Sequence, residues 1–300
     1  MNTPASKPLH PRNRHKDGYD FAALTNTCPE LKPYLLTTPY GGVSVNFSDP
    51  VAVKTLNAAL LKNSYGIQGW DIPEGALCPP VPGRVDYIHY MADLVAESSE
   101  KNIRMLDIGT GANMIYPLLA ASIYGWQCVG SDISEPSLKN ASAILSRNPQ
   151  ISKLCELRLQ SDKHAMFSGM IQSGEYFDIT VCNPPFHASA EEAQSGSKRK
   201  VESLARNRGE KLKPAAPVLN FGGMENELWC NGGEALFLKK MIKESKDFAT
   251  QVGWFSSLVS KSDNLKPLQK QLQKLGAADV RVIEMTQGKK IARILAWTFR

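Results

Sequence analysis

From about residue 101 the chain alternates short apolar runs with helix-like segments, and this alternation narrows the possible folds more than any other feature. The runs are IRMLDIG (103–109), QCVGSD (127–132), CELRLQ (155–160), FDITVC (177–182), QVGWFSSLVS (251–260), VRVIEMTQG (280–288) and IARILAWTF (291–299). Apolar residues at helical spacing fall between them near 113–124, 134–147, 163–172, 233–247 and 263–275. Such alternation predicts an α/β fold with a doubly wound, largely parallel sheet, because each parallel pair needs a crossover long enough to hold a helix. The last two runs are separated only by Gly288-Lys289-Lys290, which predicts a closing antiparallel hairpin.

Residues 17–100 read as a smaller, mostly helical region ahead of a domain spanning 101–300. Ser48-Asp49-Pro50 has the form of a helix start, and Val53, Leu56, Leu60 and Leu61 repeat at helical spacing after it. GWDIPEGALCPPVPG (69–83) breaks the chain, and a second helix pattern follows through Tyr87, Tyr90, Met91, Leu94 and Val95.

Charge is unevenly placed. Residues 1–16 carry Lys7, Arg12, Arg14 and Lys16 with no acid. Residues 194–217 carry Lys198, Arg199, Lys200, Arg206, Arg208, Lys211 and Lys213 against Glu202 and Glu210. Taking their +4 and +5 from the net +6 leaves −3 for the rest of the chain. Two basic segments, a flexible tail at 1–16 and a loop near 188–230, are therefore expected either to grip a polyanion or to carry solvated charge. The six cysteines are scattered, with no Cys-x-x-Cys pair, so neither a zinc site nor a disulfide framework is expected, and a reducing cytoplasm fits. No apolar run reaches the roughly 20 residues that a membrane-spanning helix needs.

The first run ends in LDIGTGAN (106–113). Gly109 and Gly111 let the backbone turn sharply and approach a ligand beside the start of the next helix, with Asn113 closing the loop. A dinucleotide fingerprint would place a third glycine at 114, where this chain has Met114, so a ligand without a pyrophosphate is the better fit. Asp132 ends the second run, where an acid can accept hydrogen bonds from ribose hydroxyls; it would also cap the following helix well. Asp107 either orients the glycine loop or meets a ligand ammonium.

The most specific motif is Asn183-Pro184-Pro185-Phe186, at the carboxyl end of the fourth run, where ligands of open α/β sheets sit. An exocyclic amine on a base is a poor nucleophile because its lone pair is delocalised into the ring. Two acceptors on its N–H groups draw the nitrogen toward tetrahedral geometry. Asn183 supplies a side-chain carbonyl and Pro184 a backbone carbonyl, the prolines stiffen the turn, and Phe186 offers a face for stacking. The competing reading is a plain Asn-Pro turn at a strand end.

With these motifs in hand, a resemblance can be stated. NPPF and LDIGTGAN, together with HPRNRHKDGYDF (10–21), PPVPGRVDYIHYMADL (79–94) and EMTQGKKIARILAWTF (284–299), resemble the bacterial 23S ribosomal RNA adenine-N6 methyltransferases. Eukaryotic relatives of that family methylate adenines in a spliceosomal small RNA and in messenger RNA hairpins. The resemblance runs from about residue 10 to the end. It implies the class I methyltransferase fold, S-adenosylmethionine as methyl donor, and 23S RNA or a large-subunit assembly particle as partner; no metal is expected, and with no association motif in the sequence a monomer is expected. It also implies that Arg84 binds the methionine carboxylate, and that Gly109 and Asp132 fall at cofactor positions; Asp107, Gly111, Asn113 and Asn183 complete the candidate cofactor contacts. Arg12, Arg14 and Lys16, with Lys198, Arg199, Lys200, Arg206 and Arg208, become the candidate RNA contacts. A ribosomal RNA guanine-N2 methyltransferase, in which His187 would follow the same motif, is the nearest alternative, and a catalytically silent RNA-binding protein is the next.

Overall fold

A computed structural model describes residues 8–96, 102–185, 230–287 and 290–300. The amino-terminal part begins with helix α1 (Phe21–Thr27), capped by the Asp20 side chain, and a 3-10 turn at Pro29–Tyr34. A small antiparallel hairpin of β1 (Leu35–Thr37) and β2 (Val43–Val45) follows. Helix α2 (Pro50–Tyr65) starts where the sequence signals it: Asp49 accepts from the amides of Val51 and Ala52, with Pro50 in the first turn. It ends at Gly66, whose φ of 68° releases the chain into the Gly/Pro-rich stretch. Helix α3 spans Val81–Ala96.

The remaining chain forms β3 (Arg104–Ile108), α4 (Ile115–Tyr124), β4 (Gln127–Asp132), α5 (Glu135–Ser146), the short α6 (Pro149–Ser152), β5 (Cys155–Leu159) and β6 (Phe177–Cys182). Then come α7 (Gly233–Ser245), β7 (Val252–Val259), α8 (Leu265–Leu275), β8 (Asp279–Gln287) and β9 (Lys290–Thr298). The seven strands lie in the order β5-β4-β3-β6-β7-β9-β8. β3 to β7 pair in parallel, whereas β9 runs antiparallel to both β7 and β8, the latter register closing at Gln287 opposite Lys290. The doubly wound sheet with a reversed pair at its edge is therefore present. Every residue of β6, the middle strand, is buried, which is why FDITVC reads as a continuous apolar run rather than an alternating one.

One difference from the sequence reading has a physical cause. No helix forms over 163–172. The amides of Met166, Phe167 and Ser168 instead donate to the Glu244 carboxylate of α7 at 2.8–2.9 Å, so the N–H groups a helix would use are spent elsewhere. Residues of the amino-terminal region share their core with the sheet. Leu31, Val45, Leu56 and Met91 pack in one cluster with Met105, Ile179 and Ile294 of the sheet. Leu106, next to Met105, points to the opposite face, where Leu238 and Met241 of α7 and Leu268 of α8 cover it.

Candidate active site

The carboxyl ends of β3, β4 and β6 open onto a cavity of about 640 Å³. Its walls include Arg84, Gly109, Gly111, Asn113, Asp132, Asn183 and Pro185, so most of the cofactor and catalytic candidates converge there. Asp107 lies behind the glycine turn, fully buried.

The turn is built by Gly109 (φ 76°) and Gly111 (φ 64°), which adopt left-handed backbone that other residues resist. Gly111 donates to Asp132 Oδ2 at 2.8 Å, and Ser134 donates to Asp132 Oδ1 at 2.8 Å. Asp132 thus braces the turn and the start of α5 while still facing the cavity. Burial pushes its carboxyl up, and the amides it accepts from pull it back. Met114 follows at φ 49°, buried, in the conformation that the missing third glycine would have taken without cost. Asn113 holds it there: its Oδ1 accepts from the amide of Ile115 (3.1 Å), its Nδ2 donates to the Leu77 carbonyl (3.3 Å), and its own carbonyl accepts from Trp70 Nε1 (2.9 Å).

Both carboxylate oxygens of Asp107 and the hydroxyl of Thr110 are buried without a hydrogen bond of ordinary geometry. Burial, then the nearby Asp132, raises the Asp107 carboxyl to about 7, with Thr110 and Arg84 opposing. Unsatisfied acceptors of Asp107 behind the glycine turn, with Asp132 and Arg84 on the cavity wall, suit a ligand that carries ammonium, carboxylate and ribose groups together. S-adenosylmethionine has that donor and acceptor set, and the residues present fit it.

Arg84 is nearly fully buried on the first turn of α3. Its Nη1 donates to the Tyr116 hydroxyl at 2.8 Å and to Asn183 Oδ1 at 3.3 Å, and the guanidinium lies 5.6 Å from the Tyr116 ring centre. One turn along α3, the Tyr87 hydroxyl accepts from the amide of Cys182 at 3.3 Å and pairs with Ser256 Oγ at 2.9 Å. Ser256 in turn donates to the Thr180 carbonyl at 2.6 Å. Helix α3 therefore grips the end of β6 on either side of the step into Asn183. Sequence reasoning gave Tyr87 only a packing role, because a tyrosine at helical spacing carries no sign of a hydroxyl partner 95 residues away. It also missed Phe237 and Lys240 of α7, with Cys230 and Asn231, on the far wall. Lys163 and His164 line the cavity as well.

Of the motif itself, Asn183 and Pro185 are half-buried and Pro184 is buried. Phe186 and His187 lie outside the described residues, as do Lys198, Arg199, Lys200, Arg206 and Arg208. The other basic segment differs from a free tail over residues 8–16. His10, Asn13 and His15 are buried against α3 and its surroundings. Arg12 pairs with Asp93 and donates to the His89 carbonyl at 2.9 Å; Arg14 donates to the Ser64 carbonyl and lies 5.8 Å from the Tyr65 ring centre. Lys16 Nζ donates to the Pro11 carbonyl at 3.3 Å. The arginines are pinned by these contacts yet keep exposed surface, almost half in the case of Arg12. His10 and His15 serve the packing of this segment, His10 also pairing with Asp93.

Comparison with known proteins agrees with this geometry. Residues 3–300 match a family described as RNA methyltransferase. The chain is 58% identical over 298 residues to the ribosomal RNA large subunit methyltransferase F of Shewanella baltica (strain OS195), covering 98% of this chain and 81% of that one. It is 55% identical over 307 residues to the protein of the same name from Saccharophagus degradans, covering 98% and 96%. Among solved structures, the hMettl16 catalytic domain in complex with a MAT2A 3′UTR hairpin superposes with a TM-score of 0.81 at 32% identity, covering 98% and 96%. The N-terminal domain of human METTL16 in complex with SAH gives 0.77 at 29%, covering 98% and 100%.

Proposed function

The chain belongs to the RNA methyltransferase family, with the class I fold and S-adenosylmethionine as its methyl donor, and from that premise we propose that it methylates the N6 amino group of one adenine in 23S ribosomal RNA. The observation that carries the reading is the 3.3 Å contact of Arg84 with Asn183 Oδ1 on a cavity wall shared with the Gly109–Gly111 turn. A group that suits a methionine carboxylate and a group that suits an amine thereby stand next to one another.

When bound, S-adenosylmethionine supplies an electrophilic methyl on a sulfonium centre. Gly109 and Gly111 would bring the backbone against its nucleoside, Asp132 would accept from its ribose, and Arg84 would hold its carboxylate. Asn183 Oδ1 and the Pro184 carbonyl accept the two N–H bonds of the incoming amine and orient its lone pair. No strong base is needed, because the nitrogen becomes acidic only as the new bond forms. Rate then comes from positioning, which for well-aligned reactants is worth about 7–11 kcal/mol. Phe186 completes the base-binding motif by stacking. Arg12, Arg14 and Lys16, with Lys198, Arg199, Lys200, Arg206 and Arg208, contact the RNA backbone. The substrate is the RNA or a large-subunit assembly particle, met by a monomer in the cytoplasm. Among the described residues no helix is long and apolar enough to cross a membrane.

The test is transfer of labelled methyl groups to ribosomal RNA from cells lacking the protein, followed by nucleoside digestion. Label in N6-methyladenosine, absent with Asn183→Ala, is the expected result. Label in N2-methylguanosine would move the assignment to guanine, and cofactor binding with no transfer to RNA or particle would leave a silent binding protein.

A further inference from the structure

We propose that Asn13 and Asp86 are positioning residues for Arg84, forming a buried polar latch that sets the first turn of α3. Asn13 is 1% exposed and so is Asp86. The Asn13 amide nitrogen donates to the Pro82 carbonyl at 2.9 Å and also to Asp86 Oδ1. The same Asp86 oxygen accepts from the His10 amide at 3.1 Å. Asn13 Oδ1 accepts from the His15 amide at 2.9 Å, folding the segment around its own side chain. Every polar atom of Asn13 is thus used locally or on α3, and its neighbours Arg12 and Arg14 point to other anchors.

Pro82 and Asp86 bracket Arg84, two residues to either side on the same helix. Neither they nor Asn13 line the cavity, so the latch touches neither the cofactor nor the base. Its effect must pass through the helix. The first turn of a helix has no preceding turn to hold it, and here the latch fixes it through acceptors, the Pro82 carbonyl and the Asp86 carboxylate. Here the turn also carries the long Arg84 side chain, whose guanidinium must meet Tyr116 Oη and Asn183 Oδ1 together. A small rotation of the turn is magnified at the end of that side chain, and misplacement by about 1 Å can cost roughly a hundredfold where geometry carries the rate. The latch therefore ties the basic amino-terminal segment to the cofactor site through one hydrogen-bonded junction.

This inference rests on the reading that Arg84 holds the cofactor carboxylate, and a double-mutant cycle on the full chain separates the two. The readouts are calorimetric affinity for S-adenosylhomocysteine without RNA, and KM for S-adenosylmethionine against kcat. Asn13→Ala should weaken the affinity about tenfold and raise KM, and Asn13→Ala combined with Arg84→Ala should bind no more weakly than Arg84→Ala alone. Asn13→Ser, which keeps an oxygen for the His15 amide but cannot reach Pro82, should act in the same direction if the alanine variant folds poorly. Asp93→Ala, which cuts the His10 and Arg12 ties further along α3, should lower stability without changing cofactor affinity. Equal losses from Asn13→Ala with and without Arg84, or no loss at all, would overturn the latch. An Arg84→Ala variant with unchanged affinity would instead overturn the reading beneath it.

Discussion

Consider the replacement of Glu244 by alanine. Its carboxylate accepts from three consecutive amides, Met166 at 2.9 Å, Phe167 at 2.9 Å and Ser168 at 2.8 Å. Hydrogen bonds to a charged acceptor contribute about 1.5–3 kcal/mol each, and a buried donor left without a partner forfeits that amount or more. Ser168 is exposed, so water can replace its bond; Met166 and Phe167 are buried and have no such substitute. Counting only those two near the lower limit gives about 3 kcal/mol. With roughly 2.1 cal/mol/K per residue of unfolding entropy, that is a drop of about 5 °C in Tm for a chain of this length. Lys163, His164, Ala165 and Met166 also line the cavity, so affinity for S-adenosylhomocysteine should fall in parallel. Glu244→Gln retains an oxygen for Phe167 and Ser168 and should cost about 1 kcal/mol. Urea unfolding at constant m-value, paired with calorimetry, reads both effects. A Glu244→Ala variant within about 0.5 kcal/mol of the parent, binding cofactor normally, would refute the idea that this segment is held from outside rather than by its own turns.

Asn183→Ala should abolish methyl transfer while weakening S-adenosylhomocysteine binding by about tenfold, through the loss of one of the two partners of Arg84, as equilibrium dialysis would show; loss of all binding would make the motif structural. The raised Asp107 carboxyl, at about 7, binds a proton in the folded state over a range where the unfolded state has already lost it. Stability from this group therefore falls as pH rises from about 4 to 7, whereas affinity for a ligand ammonium rises with pH up to about 7. That rise should be absent in Asp107→Asn, and a pH-independent affinity in the parent would exclude the ammonium role. His15, lowered to about 4 by burial and then by Arg14, has the opposite sign. Its contribution is complete above about 6.5 and lost as pH falls toward 4, so the unfolding midpoint of His15→Gln should be less acid-sensitive than the parent's over that window. Neutralising Lys198, Arg199 and Lys200 together should weaken RNA binding and flatten its salt dependence by up to about three phosphate contacts; an unchanged slope in a filter-binding titration would remove that segment from the interface.

The parts of the fold governed by local chemistry were readable in advance. The Asp49-Pro50 helix start, the run FDITVC and the reversed β8–β9 pair each follow from residues adjacent in sequence. What was not readable depends on distant partners. Residues 163–172 have helical spacing, but Glu244 diverts three of their amides. LLT and VSV (35–37 and 43–45) pair across a turn that holds Pro39, Gly41 and Gly42, and three-residue strands are too short to show a period. At the candidate site the glycines, Asp132 and Asn183 were found because strand ends announce them. Tyr87 and the far wall on α7 were not, since their relevance is created only by packing against β6 and the cavity.

The stretch between α2 and α3 is rich in Gly and Pro, but it is sewn to the loop before α4 and to α5 and its end. Trp70 donates to the Asn113 carbonyl, Asn140 reaches both Asp71 and Ala112, the Gln68 amide and carbonyl bond to the Asn148 side chain, and Leu77 and Pro79 form cavity wall. A connection stitched at so many points holds the amino-terminal layer to the cavity wall. On the proposed reading, an RNA gripped by that layer and offering a base at Asn183 would have to span a separation these bonds set. Selection among target bases would then work as a caliper: an RNA whose own fold sets its base at the right distance would be modified, and one that falls short would have to distort to reach.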